Sequence, residues 1–131
     1  PYIKLKLKEI NNISFISNFI DESIGYVEIR ENSVFFVHGD KDTANNVVSN
    51  LTLMINHKPD IVFMGHRHTN ALKTIYNTKV IESGCVSGTD NYCIEKRLYN
   101  YPEQTVSVIS KNGLDCLYDI TLYKNNKNIY D

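Results

Sequence analysis

Three of the four histidines in this 131-residue chain follow two short apolar runs. The first run, residues 34–37, leads into His38, and the second, residues 61–64, leads into His66 and His68. Parallel strands present the residues that follow them at one edge of a sheet, where open α/β folds place their ligands. Imidazole is a common metal-binding side chain, so this spacing predicts a metal site. Because each ligand needs an unprotonated ring nitrogen, metal binding should weaken as the pH falls.

Two glycines and the fourth histidine fit this interpretation. Gly39 and Gly65 stand beside the predicted ligands, where a residue without Cβ allows a sharp turn and the close approach of a substrate. His57 is expected in the last turn of a helix, where an imidazole interacts favourably with the free carbonyls, so its role is structural. A single histidine at a strand end is usually just hydrogen-bonded, so the metal prediction depends on all three.

The composition is that of an ordinary globular protein. The chain is long enough to bury a core, and residues 1–131 are expected to form a single domain. A formal charge of -1 does not favour nucleic-acid binding as the whole function, and no stretch is long and apolar enough to span a bilayer, so no membrane partner is expected. The three cysteines lack a C-x-x-C pair and are interpreted as free, buried thiols of a cytoplasmic protein.

The elements that must position the histidines form a predicted βαβ unit. Residues 24–30 and 33–38 are expected to be strands joined at a short turn, Glu31-Asn32. Asp42 is the expected N-cap of a helix that ends near Lys58, because a proline follows. Residues 61–64 then form a central strand, reached by a right-handed crossover.

The remaining segments predict mainly antiparallel hairpins. Residues 71–76 and 78–82 flank an asparagine, and residues 105–110 and 114–122 flank an Asn-Gly pair, which is a strong hairpin signal. Between the two hairpins, residues 84–92 are expected to form a loop.

The two ends of the chain carry weaker patterns. Residues 3–8 alternate apolar and basic side chains, which favours a strand, although a short helix is also compatible. Residues 13–17 are interpreted as a short strand, and residues 124–131 as a polar tail that frays.

The segments Val-Phe-Phe-Val-His-Gly-Asp (34–40) and Asp-Ile-Val-Phe-Met-Gly-His-Arg-His (60–68) together resemble the C-terminal half of a calcineurin-like metallophosphoesterase. The resemblance covers about residues 33–122. It implies an α/β fold that is part of a four-layer αββα sandwich, with a βαβ unit followed by antiparallel hairpins. It also implies a site with two divalent metal ions (Mn, Fe or Zn), in which His38 and His66 bind one ion and His68 the other.

Several motifs of that superfamily are missing from the chain. Neither Asp-x-His nor Gly-Asn-His-Asp occurs, and in Gly39-Asp40-Lys41-Asp42-Thr43 the second acid comes one position too early for Gly-Asp-x-x-Asp. The bridging carboxylate that would hold two ions together, and the catalytic histidine, are therefore absent. We expect this chain to be the C-terminal part of a longer enzyme and inactive alone. The apolar surface that the missing part would cover is then available for self-association.

The resemblance implies a cytoplasmic hydrolase that acts on a phosphomonoester or a phosphodiester. DNA or a nucleotide is one candidate substrate, because the segment around His38 is similar to that of phage and bacterial DNA exonuclease-like members. Arg67, Asp90 and Tyr92 are candidate substrate contacts, and Asp40 is expected to cap the following helix or to orient a metal ligand.

Two other functions are compatible with the sequence. One is a non-catalytic scaffold or interaction domain of the same fold, since some members of the superfamily have lost their metals and serve as binding surfaces. The other is a small protein with one zinc ion held by three histidines. The presence of His38, His66 and His68 favours the enzyme over the scaffold.

Overall fold

A six-stranded mixed sheet forms the centre of the molecule. The computed structural model describes residues 2–7, 9–15, 19–89, 91–97 and 99–123. The elements are α1 (Tyr2–Leu7), β1 (Phe19–Asp21), β2 (Ile24–Ile29), β3 (Asn32–Val37), α2 (Val47–Ile55), β4 (Ile61–Met64), β5 (Ala71–Ile75), β6 (Thr78–Glu82), α3 (Asn91–Glu95), β7 (Glu103–Ser110) and β8 (Gly113–Thr121). Within these described ranges no helix is long and apolar enough to cross a membrane.

The sheet has the strand order β1-β2-β3-β4-β6-β5. Strands β3, β4 and β6 are parallel, and antiparallel hairpins extend the sheet on both sides. In register, Val37 lies beside Met64, and Met64 lies beside Glu82, so the three parallel strands end together. The residues that follow these strands consequently meet at one edge of the sheet, as the sequence predicted.

Both faces of the sheet are covered. Alternate residues of β3 and β4 point to opposite faces, so Phe35 and Val62 pack against α2, and Val34 and Ile61 pack on the other face. The first face is completed by Val47, Val48 and Leu51 of α2, and the second by Ile109, Leu114 and Leu117 of the β7–β8 hairpin. Burial on both sides explains why β3 and β4 read as continuous apolar runs rather than as alternating ones.

The β7–β8 hairpin forms a separate two-stranded sheet. Its tip is held to the β2–β3 turn, because Asn32 Nδ2 donates a hydrogen bond of 2.7 Å to the Ser110 carbonyl. The outer face of the hairpin carries exposed apolar side chains, including Val106, Val108 and Tyr118. Self-association through this face remains a prediction.

The strand predictions from residue 24 onward agree with the structure, and two hairpin turns are explained by their backbone. Arg30 and Glu31 have φ of 49° and 68°, and Tyr76 and Asn77 have φ of 49° and 66°, as two-residue turns between twisted strands require. The first turn therefore lies at Arg30-Glu31, one residue before the position predicted from the sequence.

The predicted ends of α2 were wrong. Asp42 is not the N-cap, because its carboxylate instead accepts a hydrogen bond of 2.7 Å from Asn50 Nδ2, and the helix begins after Asn46. The helix ends at Ile55, where Asn56 adopts a left-handed conformation with φ of 55°. His57 thus lies beyond the last turn and is exposed.

Three further predictions need correction. Residues 2–7 form the helix α1, which was the alternative to the favoured strand. Residues 13–15 have no regular structure, and the predicted 84–92 loop gives way to α3 at Asn91. Residues 16, 17 and 124–131 lie outside the described residues, so the rest of the predicted 13–17 strand and the frayed tail are not tested.

Candidate metal site at the carboxyl edge of the sheet

Backbone hydrogen bonds carry the parallel pairing past the ends of β3 and β4. The amide of Gly65 donates to the carbonyl of His38 at 3.1 Å, and the amide of Ser83 donates to the carbonyl of Met64 at 2.9 Å. The first bond places the residues that follow β3 directly beside those that follow β4, and the second joins the residue after β6 to the end of β4. The histidines of the two segments meet for this reason.

The imidazoles of His38 and His66 form a close pair. His38 Nε2 and His66 Nδ1 are 3.2 Å apart, and the two ring planes are inclined at 75°. Without a metal ion, this distance allows an N–H···N hydrogen bond. Two nitrogen ligands of one tetrahedral zinc ion would lie about 3.4 Å apart, since each metal–nitrogen bond is about 2.0–2.1 Å. The pair therefore has a spacing that suits two ligands of one ion, and both side chains are exposed to solvent.

The two loops that carry the histidines, one after β3 and one after β4, have an unusual backbone. His66 and His68 have φ of 69° and 60°, and Gly39 has φ of 96°. A residue other than glycine in this left-handed region carries strain of roughly 1 kcal/mol or more, and such strain clusters at functional sites. Two strained histidines within three residues are consistent with a functional site, where the position of the side chains is kept at a cost in local stability.

His68 has a different environment from the histidine pair. It is half-buried, and its Nδ1 lies 3.3 Å from the sulfur of Cys93. Among the described residues, no three His, Cys, Asp or Glu side chains come together in an arrangement that could hold a metal ion. The three histidines therefore do not form the single zinc site that was one alternative, and the assignment of His68 to a second metal remains a prediction.

A pocket of about 380 Å³ opens beside His38. Three carboxylate residues, Asp21, Asp40 and Asp42, contribute to its lining. The backbone amide and the hydroxyl of Ser23 donate hydrogen bonds to Asp21, which hold the pKa of that carboxyl below its ordinary value of 3.8. Asp21 was not predicted from the sequence, because no pattern indicated that β1 lies beside β2 at this edge.

The remaining predicted site residues are Arg67, Tyr92, Asp40 and Asp90. Arg67 is exposed, and its backbone amide donates to the Gly65 carbonyl at 2.8 Å. Tyr92 is exposed in α3, and Asp40 is exposed without a hydrogen bond to another described residue. Asp90 lies outside the described residues. Asp40 does not cap α2, whose N-cap is Asn46; its role in orienting a ligand and the roles of Arg67, Asp90 and Tyr92 remain predictions.

Asn70 connects the histidine loop to the rest of the molecule. Its Oδ1 accepts a hydrogen bond of 2.8 Å from the amide of Gly84, and its Nδ2 donates to the Gln104 carbonyl at 2.9 Å and to Asp119 at 2.7 Å. Its backbone amide also donates to the carboxylate of Glu103. One side chain thus joins three segments two residues after His68. No pattern around Asn70 had indicated this role.

Comparison with solved structures supports the fold. Vps29 from Entamoeba histolytica in complex with zinc is 12% identical over 82% of this chain and 65% of that one, with a TM-score of 0.55. An archaeal phosphodiesterase is 22% identical over 90% of this chain and 60% of that one, with a TM-score of 0.54. Vacuolar protein sorting 29 from Cryptosporidium parvum is 12% identical over 92% of this chain and 75% of that one, with a TM-score of 0.54.

These similarities show the fold but not the activity. The chain has the calcineurin-like metallophosphoesterase fold, as its sequence motifs predicted. One of the similar structures is named a phosphodiesterase and two are named for vacuolar protein sorting, so the fold does not decide between catalysis and another role. The chain spans less than two thirds of the length of the Entamoeba and archaeal structures. No protein-family model and no curated protein sequence matches it.

Proposed function

We propose that this chain is the C-terminal part of a metal-dependent phosphoesterase and that His38 and His66 bind one divalent metal ion. The observation that supports this proposal is the 3.2 Å separation of His38 Nε2 and His66 Nδ1 at the carboxyl edge of the sheet. The similarity in fold to a protein named a phosphodiesterase, and to another in complex with zinc, agrees with it. The reaction is hydrolysis of a phosphomonoester or phosphodiester, with nucleic acid as one candidate substrate.

The residues present fit a metal ion only in part. Imidazole nitrogen suits Mn, Fe and Zn, but two neutral ligands leave the charge of the ion uncompensated. The carboxylates of Asp21, Asp40 and Asp42 line the pocket beside His38 together with Lys41, and among the described residues they do not form a ligand cluster. A bound divalent ion would polarise a phosphate oxygen and lower the pKa of a bound water. We expect measurable but weak metal binding by the chain alone.

Arg67 is the proposed phosphate contact. It lies between His66 and His68 in the chain, and its exposed guanidinium has five N–H donors that suit a phosphate. Tyr92 presents an exposed ring on α3, and Asp90 immediately precedes that helix, so both are proposed as contacts to the remainder of the substrate.

Calorimetric titration with Mn²⁺ and with Zn²⁺ tests the histidine pair. The wild-type chain is compared with His38→Ala and His66→Ala, and with His57→Ala as the matched control, because His57 is an exposed histidine beyond the end of α2. We expect His57→Ala to bind like the wild type and each of the other variants to bind about ten-fold more weakly or not at all. Unchanged binding in both His38→Ala and His66→Ala would exclude the proposed site.

Activity should be measured separately from metal binding. The chain alone is expected not to hydrolyse a chromogenic phosphodiester in Mn²⁺, because it lacks the bridging carboxylate and the catalytic histidine of the superfamily. Turnover that disappears in His68→Ala would contradict this part of the proposal. It would mean that the missing groups come from elsewhere, such as a second copy of the chain.

A non-catalytic interaction domain is the second candidate function. The observation that favours it is the exposed apolar outer face of the β7–β8 hairpin, where Val106, Val108, Tyr118 and Ile120 have exposed fractions of 36% to 55%. Sedimentation velocity on the wild type and on Tyr118→Lys tests whether this face mediates self-association. Concentration-dependent dimers that Tyr118→Lys abolishes, together with no metal binding, would favour this function over the enzyme.

A further inference from the structure

Cys93 is buried beside His68 and belongs to no predicted motif. It lies in α3 with 1% of its surface exposed. Its sulfur is 3.3 Å from Nδ1 of His68 and 3.7 Å from the carbonyl oxygen of Gly88. The two residues are 25 positions apart in the chain, so the contact depends on the fold and not on local sequence.

The contact with Gly88 sets the direction of the hydrogen bond between Cys93 and His68. The Gly88 carbonyl can only accept, so its contact with Cys93 uses the thiol proton. The sulfur can then accept a hydrogen bond from the Nδ1–H group of His68. In this arrangement the neutral imidazole carries its proton on Nδ1, and the lone pair is on Nε2.

We propose that Cys93 is a positioning residue that holds His68 in the tautomer with Nε2 free to bind a metal ion. Metal-binding histidines usually donate their other ring N–H to a carboxylate, a backbone carbonyl or water, which sets both the tautomer and the ring orientation. Here a buried thiol takes that place. The metal-binding part of this inference rests on the proposed function, whereas the tautomer of His68 does not.

The loop before α3 holds the thiol in place from the other side. Gly88 has φ of 65°, and a Cβ at this position would lie 2.8 Å from Cδ of Pro102, so the loop fits closely against the segment before β7. The hydroxyl of Thr89 donates to the Asn100 carbonyl at 3.1 Å, and the amide of Asn100 donates back to that hydroxyl at 3.1 Å. The Gly88 carbonyl that accepts the hydrogen bond from the thiol is therefore well fixed.

The tautomer can be measured directly on the metal-free chain. Long-range ¹H–¹⁵N correlation spectra, at a pH where imidazoles are neutral, report which ring nitrogen of His68 carries the proton. We expect the proton on Nδ1 in the wild type and a shift toward Nε2 in Cys93→Ala. The matched control is Cys85→Ala, because the Cys85 sulfur lies 3.0 Å from the Ser87 hydroxyl and should leave the His68 signals unchanged.

The outcomes decide the proposal even if one variant does not fold. A proton on Nε2 of His68 in the wild type overturns it, and so does a folded Cys93→Ala variant with an unchanged tautomer. Cys93→Ser is the smaller change and should retain the Nδ1 proton, since a hydroxyl can both donate to Gly88 and accept from His68.

Metal binding separates this inference from the proposed function. We expect Cys93→Ala to weaken binding of the Mn²⁺ ion assigned to His68 by about ten-fold relative to Cys85→Ala, with Cys93→Ser closer to the wild type and the ion at His38 and His66 unaffected. If removing His68 weakens Mn²⁺ binding and Cys93→Ala does not, the metal-binding part of the inference is overturned while the proposed function stands. If no variant and no wild type binds Mn²⁺, the proposed function fails, and the tautomer measurement still decides the role of Cys93.

Discussion

The amide of Gly65 donates a hydrogen bond of 3.1 Å to the carbonyl of His38. This bond adds one step to the parallel pairing of β3 and β4 beyond Val37 and Met64, the last paired residues of the two strands. Because the backbones are joined at this step, the imidazoles of His38 and His66 are brought to 3.2 Å by main-chain geometry. Changes to the backbone at this edge should therefore affect the candidate metal site directly.

Gly39→Ala should impair both stability and metal binding. Gly39 has φ of 96°, and an added Cβ would lie 3.0 Å from the Gly65 carbonyl oxygen and 3.3 Å from Cε of Met64. We expect the free energy of unfolding to fall by about 1–3 kcal/mol, and Mn²⁺ binding to weaken, because the segment after His38 must shift. Urea denaturation and calorimetric titration measure the two effects.

Gly113→Ala is the matched control for this prediction. Gly113 has φ of 107°, but the nearest atom to an added Cβ is Oδ1 of Asn32 at 3.9 Å. The control should show a comparable loss of stability from backbone strain alone, with unchanged Mn²⁺ affinity. If both glycine variants affect metal binding equally, the effect of Gly39→Ala is not local to the site.

His66→Gly should be more stable than His66→Ala. At φ of 69°, alanine keeps the strain of the left-handed conformation and glycine relieves it, by roughly 1 kcal/mol. Both variants remove the imidazole, so both should lose metal binding. Thermal or urea unfolding of the two proteins measures the difference.

His38 offers the matched comparison, because it is not among the residues with positive φ. There glycine should be less stable than alanine, by about 0.5–1 kcal/mol, since it loses more backbone entropy on folding. If alanine were more stable than glycine at position 66 as well as at position 38, the conformation of His66 would not be strained in solution.

Asn70→Ala should destabilise the chain strongly, although Asn70 is only partly buried. The substitution leaves the amide of Gly84 without its 2.8 Å acceptor and removes the bonds to Gln104 and Asp119. We expect a loss of about 2–3 kcal/mol in the free energy of unfolding, since an unsatisfied, partly buried amide costs about 1–3 kcal/mol. Asn112→Ala, in an exposed turn, should change stability by less than about 0.5 kcal/mol. Similar values for the two variants would contradict the role assigned to Asn70.

The parts of the fold that were predictable are those set by local patterns. The run at residues 61–64 corresponds residue for residue to β4, and the last two hairpins follow from alternation and from Asn77 and Gly113, turn residues that tolerate positive φ. The meeting of His38 with His66 also followed, because parallel strands that end together bring their next residues to one edge.

The parts that were not predictable depend on contacts between distant segments or on competing local interactions. The alternation in residues 3–8 favoured a strand, but residues 2–7 form a helix, and Asp42 is bonded to Asn50 instead of capping α2. The contact of Cys93 with His68 spans 25 residues, and those of Asn70 span 14 to 49. Such contacts form only when the sheet and the hairpin bring distant segments together, so no local pattern indicates them.

Asp21 should make the stability of the chain depend on pH in the acid range. Hydrogen bonds from the Ser23 amide and hydroxyl lower the pKa of Asp21 below 3.8 in the folded state, so its contribution is complete above that value and is lost as the pH falls through the folded pKa. The advantage of the wild type over Asp21→Asn in urea should therefore shrink on acidification. Ser23→Ala, which keeps only the amide bond, should show a weaker pH dependence. A difference between wild type and Asp21→Asn that grows on acidification would have the wrong sign for this linkage.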